Sequence, residues 1–270
     1  EHHHSRTSPR PSQKGPVMND KIPPTGVEPE RRPVRVQMPQ RKPIATLILV
    51  VVTVLFFILQ YGLQTITGND ILFFYGGKIN QLIMLGQVWR FLTPVLLHGS
   101  ILHIALNMYA LYIIGGRLER FYGPARFLLL YVLSAFAGNV LSFVLTPAPS
   151  LGASTAIFGL FAAEGMFIFQ NRKLFGQLRT RQAIINLGVI LMVNLAYGFM
   201  PGTNIDNMGH IGGFLGGIFF AWKAGPLLKL AGEPPFFSVS DGRKKGDVLV
   251  ASLVVMIGFT IIALIPFFTS

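Results

Sequence analysis

Residues 44–66 read IATLILVVVTVLFFILQYGLQTI, an apolar run that contains no charged side chain. A helix needs about 20 mostly apolar residues to cross the hydrocarbon core of a bilayer, so this run predicts a transmembrane helix. Six further segments show the same character, and we predict spans near 101–116, 124–145, 153–170, 183–199, 208–222 and 247–267. The predicted fold class is all-α, a polytopic membrane helical bundle.

The composition of the whole chain agrees with a membrane protein. Of 270 residues, 51% are hydrophobic and 13% are charged, and the mean hydropathy is +0.53. Soluble domains carry about 25% charged residues, and the alternative of a soluble helical bundle would need far more charge on its outer faces. The second, fourth and sixth spans are short and carry polar or small residues, which is typical of helices inside a bundle.

The segment before the first span differs sharply from the rest. Residues 1–43 hold nine of the eighteen prolines and show no apolar period, so they are predicted to form a disordered cytoplasmic tail. We interpret the His-rich residues 1–17 as a tag or processing remnant and Met18 as the native start. A regulatory role for residues 18–43 is the alternative.

Basic residues predict the orientation of the spans. If the N-terminus is cytoplasmic, 21 of the 23 Lys and Arg residues lie on that side, and only Lys78 and Arg90 lie on the other. This asymmetry follows the positive-inside rule and predicts a non-cytoplasmic C-terminus, with the cell membrane as the expected location. The net charge of +12 therefore indicates topology in a lipid bilayer, and no nucleic-acid partner is predicted.

Histidine and cysteine counts narrow the possible chemistry. The chain has no cysteine, and three of its six histidines lie in the opening residues. The remaining three are His98, His103 and His210. A three-histidine metal site is the competing interpretation, but the five-residue spacing of His98 and His103 fits one helix face poorly, and no nearby carboxylate completes a ligand set. We predict neither a metal nor a cofactor.

Polar residues at similar depth in three spans predict a reaction centre. Ser154 follows Pro147 and Pro149, so it falls in the first turn of its helix, where unpaired N–H groups favour an oxyanion. The alternative is a serine that packs between helices or caps one. His103 and Asn107 are spaced i, i+4 and share a face, and both can donate hydrogen bonds.

Rows of glycine flank the last histidine. Gly209, Gly213 and Gly217 form one row, and Gly212 with Gly216 forms another. Such rows let helices approach closely, and the fourth span offers a matching face of Gly152, Ala156 and Gly159. Close contact would place His210 beside Ser154, where an imidazole activates a serine. A packing histidine is the alternative.

Taken together, these motifs resemble the rhomboid family of intramembrane serine proteases over about residues 44–225. The resemblance implies a six-helix core at 44–225, followed by a linker and a seventh transmembrane helix at 226–270. It implies that membrane proteins, single-span or other, are cleaved at transmembrane segments, and it assigns no oligomeric state. The motifs that carry it are Trp89-Arg90, His103-xxx-Asn107, Gly152-Ala153-Ser154 and the glycine-flanked His210.

The same resemblance assigns roles to individual residues. It implies that Ser154 is the nucleophile and His210 the general base and acid. His103, Asn107 and the Ser154 backbone N–H would form the oxyanion hole. The residues expected to support this site are His98, Trp89, Arg90, Gly152 and Phe158.

Two positions depart from the family pattern, and two carboxylates are candidates for a third catalytic group. Thr155 replaces a glycine after the nucleophile, and we expect activity to survive this change. Phe158 stands where tyrosine is common, so the ring packing against the histidine is expected to be kept and only a hydroxyl lost. Asp206 lies four residues before His210 and could touch it, whereas Glu164 is expected to lie about 15 Å deeper.

Two other functions compete with proteolysis. A non-catalytic relative, acting as a membrane chaperone or quality-control factor, would bind transmembrane helices without cutting them. Such relatives lose the serine or the histidine, and this chain keeps both. A transporter should show an internal repeat, and none is visible in the sequence.

Overall fold

The seven predicted spans all lie on helices of the computed structural model, which describes residues 35–37, 41–200, 202–233 and 236–269. Five of the helical segments in these ranges are long and apolar enough to cross a membrane. They are α1 (Ile44–Thr67), the continuous segment Ile101–Tyr122, α6 (Pro124–Leu145), α9 (Gln177–Gly198) and α11 (Lys245–Thr269). The two other predicted spans form the shorter helices α7 (Ser154–Gln170) and α10 (Asn207–Ala224).

Two spans are longer than the sequence predicted. The second span consists of α4 (Ile101–Ala110), a π-helical turn at Leu111–Gly115 and α5 (Gly116–Tyr122). The fifth begins at Gln177 because its polar first turns continue the helix into the basic connection, where α8 (Arg172–Phe175) precedes it. Apolar periodicity therefore located the spans but underestimated their polar ends.

The helix α10 lies at the centre of the bundle and packs against α6 and α7. Its glycines make this possible: a Cβ at Gly213 would overlap the Thr155 carbonyl, and one at Gly217 would overlap the Gly159 carbonyl. On the other face, a Cβ at Gly216 would come within 2.6 Å of the Ala137 side chain. The glycine rows therefore bring the backbones of α7 and α10 together, as predicted.

A structured connection links the first two spans. It contains α2 (Ile71–Gly76), α3 (Asn80–Met84) and two 3₁₀ turns at Val88–Phe91 and Thr93–Leu96. Lys78 is fully buried here, and its Nζ donates to the carbonyls of Thr146 (2.9 Å) and Ala148 (2.7 Å). Its backbone also bridges that of Ser150, so this connection is fastened to the segment that leads to Ser154.

The structure confirms the predicted helical bundle and adds one small sheet to it. β2 (Leu228–Glu233) pairs antiparallel with β3 (Phe236–Asp241), and β1 (Arg35–Gln37) pairs parallel with β3. The alternation of partly buried Phe237 and Val239 with exposed residues in β3 is a strand period, which the search for long apolar runs passed over. Arg35–Gln37 is thus a strand rather than disordered chain, and residues 1–34 and 38–40 of the predicted tail lie outside the described residues.

Candidate active site

The structure brings the predicted serine and histidine into contact. Ser154 is the first residue of α7, and His210 lies in the first turn of α10. His210 Nε2 is 2.9 Å from Ser154 Oγ, which is hydrogen-bond distance. Since the glycine contacts set the separation of α7 and α10, helix packing fixes this pair.

The ring of His210 is held by an aromatic neighbour. The rings of Phe158 and His210 are stacked with centroids 4.0 Å apart and planes 12° from parallel. Phe158 is buried, and it lies one helical turn after Ser154 on α7. Phe158 therefore makes the ring contact with the histidine and adds no hydroxyl to the site.

Neither of the two carboxylates extends the pair to a triad. Asp206 caps α10 by accepting from the Gly209 N–H (2.8 Å), and it also accepts from the Ser142 hydroxyl. Among the described residues, His210 Nδ1 has no hydrogen-bond partner. Glu164 pairs with Arg117 (2.9 Å) farther along α7. The suggested contact of Asp206 with the His210 side chain is therefore not made, because helix capping directs this carboxylate elsewhere.

His103 and Ser154 border one small space in front of Gly152. Gly152 has φ +127°, and a Cβ there would lie 2.8 Å from His103 Nε2 and 3.7 Å from Ser154 Oγ. Only glycine both adopts this backbone and leaves the space open. Asn107 is buried on the same helix as His103, and its Nδ2 donates to the His103 carbonyl at 3.1 Å, which leaves its second N–H free to donate.

Thr155 fits the helix interface without crowding the serine loop. It is buried, and its side chain occupies the space that a Cβ at Gly138 would fill. Its carbonyl faces Gly213 and its methyl lies beside Gly209. The three glycines around Thr155 therefore accommodate the β-branched side chain that replaces the usual glycine.

His98 supports the chain just before the serine. It is buried between the second 3₁₀ turn and α4, and its ring packs edge-on against that of His103 with centroids 4.9 Å apart. The Ala153 N–H points to His98 Nε2 at 3.5 Å. Burial, with a smaller contribution from the neighbouring His103, lowers the pKa of His98 to about 3. A neutral imidazole can accept this hydrogen bond, and a protonated one cannot.

Acid should therefore destabilise the protein through His98. Its pKa falls from 6.5 to about 3 on folding, so between these values the unfolded chain binds more protons and stability decreases as the pH falls. We expect acidification through this window to lower the thermal midpoint of the wild type more than that of His98→Asn. Parallel curves for the two proteins would contradict the coupling.

Trp89 and Arg90 organise the first connection rather than contact the serine–histidine pair. Arg90 is buried, and its two terminal nitrogens donate to the carbonyls of Gly77 and Phe74, each at 2.6 Å. Trp89 is half-exposed, and its indole N–H donates to the Tyr75 carbonyl at 3.1 Å. Both residues thus donate to the backbone carbonyls at the C-terminal end of α2.

Three further residues near the site were not singled out by the sequence. Gln60 accepts from the His98 N–H (3.0 Å) and donates to Asp70 (2.8 Å), and the Pro94 carbonyl accepts from the Gly152 N–H (2.9 Å). Lys78 holds the segment that leads to Ser154 through its hydrogen bonds to the carbonyls of Thr146 and Ala148. Gln60 was detectable as a polar side chain inside an apolar run, whereas the Pro94 contact depends on tertiary packing alone.

The part of the chain that the structure describes contains no group of three or more His, Cys, Asp or Glu residues placed to hold a metal ion.

Comparisons with known proteins show to which family the chain is similar. Residues 85–226 match the model of the Rhomboid domain family. The chain is 44% identical to Rhomboid protease GluP of Bacillus subtilis (strain 168) over 184 residues, which is 68% of this chain and 35% of that protein. It is 41% identical to Rhomboid-like protease 3 of Toxoplasma gondii over 136 residues, 49% of this chain and 50% of that protein.

A plant relative extends the range of matches. RHOMBOID-like protein 7 of Arabidopsis thaliana is 35% identical over 188 residues, which is 64% of this chain and 58% of that protein. The alignments thus span between about a third and three fifths of the length of these three relatives.

The fold and the site together define an integral, multi-pass membrane protein with a serine and a histidine in contact between two central helices. Because the family match covers more than half of its residues, the chain belongs to the rhomboid family.

Proposed function

We propose that this protein is an intramembrane serine endopeptidase with Ser154 as nucleophile and His210 as general base. The observation that carries the proposal is the 2.9 Å separation of Ser154 Oγ and His210 Nε2 at the meeting point of α7 and α10. Two relatives at 44% and 41% identity carry the name protease. The chain has no cysteine, and the hydroxyl in contact with the His210 ring nitrogen is that of Ser154.

The reaction begins with attack of Ser154 Oγ on the carbonyl carbon of a peptide bond. His210 Nε2 takes the serine proton, and the carbonyl becomes a tetrahedral oxyanion. When this intermediate collapses, the C–N bond breaks, His210 gives the proton to the leaving amine, and an acyl-serine remains. Water then attacks the acyl carbon, His210 again takes and returns the proton, and free Ser154 is regenerated.

The oxyanion would be held in the space in front of Gly152. His103 Nε2 borders this space. The free N–H of Asn107, one turn along the helix from His103, and the backbone N–H of Ser154, at the first residue of α7 where N–H groups lack intrahelical partners, would be the further donors. Removal of one such donor typically costs about 2.7–4 kcal/mol of barrier. Gly152 serves here by leaving room for the oxygen.

The substrate would be a membrane protein that is cleaved in or beside a transmembrane segment. A peptide bond inside a helix is hydrogen-bonded and shielded, so the segment must unwind locally before it reaches Ser154. Ser154 starts its helix rather than sitting at mid-span, so water can reach it from the nearer membrane face.

Product analysis tests this function against the chaperone alternative. The full chain is reconstituted with a single-span membrane protein, and the products are measured by intact mass. A protease gives two fragments whose masses sum to that of the substrate plus one water, with the cut in or beside the span. Intact substrate that co-purifies with the protein, without fragments, would favour a non-catalytic binding role.

The orientation of the chain is part of the same proposal. With 21 of 23 basic residues on the cytoplasmic side, the N-terminus is cytoplasmic and the end of α11 is not. A reporter fused after Ser270 should therefore be modified by reagents that do not cross the membrane when they are added outside intact cells. Protection of that reporter until the membrane is opened would contradict this topology.

A further inference from the structure

A second cavity lies apart from the serine–histidine pair, between α7, α9 and α10. Its volume is about 310 Å³, and every residue that lines it is apolar or glycine. The wall includes Phe161, Phe169, Leu187, Gly188 and Phe214. The cavity exists because α9 packs loosely: the most apolar stretch of α9 contains no buried residue, whereas 61% of that of α6 is buried.

The cavity belongs to the half of the bundle that faces the basic connections. Ser154 opens α7, and the cavity residues of α7 lie between positions 161 and 169. At 1.5 Å per residue they are about 10–22 Å farther along the helix axis than Ser154. They end next to the basic connection between α7 and α9, so the cavity is separate from the proposed catalytic site.

Positive charge flanks the mouth of this cavity. The Arg172 guanidinium lies 4.6 Å above the ring of Phe169, a wall residue, and donates to the Phe169 carbonyl at 3.1 Å. Arg181 precedes the wall residues Ile184 and Gly188 by three and seven positions, so it continues their face of α9. Residues 165–205 contain four basic side chains and no acidic one.

We propose that this cavity binds one acyl chain of an anionic phospholipid from the cytoplasmic leaflet, with the lipid phosphate between Arg172 and Arg181. The wall offers an acyl chain continuous apolar contact, and the two guanidinium groups match a phosphate at the membrane surface. A substrate helix is about 10–12 Å across with its side chains, so a cavity of about 310 Å³ does not enclose one. The bound chain fills the gap left by α9 and fastens α9 to α7 and α10.

Photolabelling with lipids of defined head group tests the proposal. The full chain is reconstituted in vesicles containing phosphatidylglycerol or phosphatidylcholine with a photoreactive acyl chain, and labelled residues are mapped by mass spectrometry. Phosphatidylglycerol should label the cavity faces of α7 and α9. Arg172→Gln with Arg181→Gln should lower this labelling about tenfold, the scale of lost charge-assisted contacts, and remove the preference over phosphatidylcholine.

Glycine substitutions test the cavity itself. Apart from its chain neighbours and the backbone of its own helix, no heavy atom among the described residues lies within 4 Å of the position that a Cβ at Gly188 would take. Gly188→Leu should therefore fold and fill the cavity with its side chain. Gly165→Ala adds one methyl 3.7 Å from the Leu187 side chain and should lower labelling partially. Gly258→Leu is the matched control, because its Cβ also meets open space but lies on the exposed face of α11.

The outcomes separate the possible occupants. Loss of labelling in Gly188→Leu and retention in Gly258→Leu would support the acyl-chain site. Equal wild-type labelling by the two lipids, or labelling unchanged by Gly188→Leu, would overturn the proposal. Displacement of the lipid by a single-span helix would also overturn it, since the cavity would then belong to the route of a protein partner.

Discussion

Replacement of Ser154 by alanine is expected to reduce cleavage of a single-span substrate by roughly 10³-fold or more, as in other serine hydrolases that lose the nucleophile. His210→Ala should cause a loss of the same order, because Ser154 Oγ then loses the acceptor that lies 2.9 Å away. The two residues act as one unit, so the double variant should be no slower than either single variant.

The measurement is the cleavage rate in proteoliposomes at equal protein concentration. Ser252→Ala is a suitable control, because the Ser252 hydroxyl donates to the Val248 carbonyl within its own helix, α11, and has no role in the proposed site. Thermal midpoints of all variants should remain close to that of the wild type. Cleavage that persists at the wild-type rate in either Ser154→Ala or His210→Ala would refute the assignment of the pair.

Gly213→Ala is expected to destabilise the fold more than Gly165→Ala or Gly188→Ala. A Cβ at this position would overlap the backbone carbonyl of Thr155, and backbone cannot move aside as a flexible side chain can. Overpacking a core typically lowers the free energy of unfolding by about 1–3 kcal/mol, occasionally more. For Gly213→Ala we expect a loss of about 3 kcal/mol or more. Because the same contact sets the distance from His210 to Ser154, activity should fall together with stability.

Gly188→Ala provides the matched comparison for this prediction. It is also a glycine inside a membrane helix, but a Cβ there would meet no atom of another element within 4 Å among the described residues. Thermal unfolding in one detergent should therefore give a clearly lower midpoint for Gly213→Ala and an almost unchanged midpoint for Gly188→Ala. Equal midpoints would mean that α7 and α10 are not held at the separation described.

The helical part of this fold was predictable because membrane spans and glycine rows are local patterns. An apolar run such as 44–66 defines a span by length alone, and glycines spaced by four residues indicate close helix contact before the partner is known. The proximity of Ser154 to His210 followed from that contact. The polar first turns of α9 and the short strands β2 and β3 were missed. The prediction relied on long apolar runs, and neither polar helical turns nor strands of six residues form such a run.

Other parts of the site depend on contacts between residues far apart in the chain. Lys78 appeared in the sequence only as a cation on the less basic side, yet it is buried and holds the carbonyls of Thr146 and Ala148. Asp206 could have oriented His210 or capped α10, and its spacing from His210 allowed both. The structure places it as a cap because the Gly209 N–H and the Ser142 hydroxyl both reach it.

The central claim is that His210 activates Ser154, and covalent labelling tests it most directly. The full chain in detergent is treated with a fluorophosphonate, which reacts with activated serine hydroxyls, and the modified residue is identified by mass spectrometry. We predict one adduct on Ser154 that is absent in His210→Ala and present in Ser252→Ala. An adduct on another serine, or labelling of Ser154 that does not change without His210, would contradict the account.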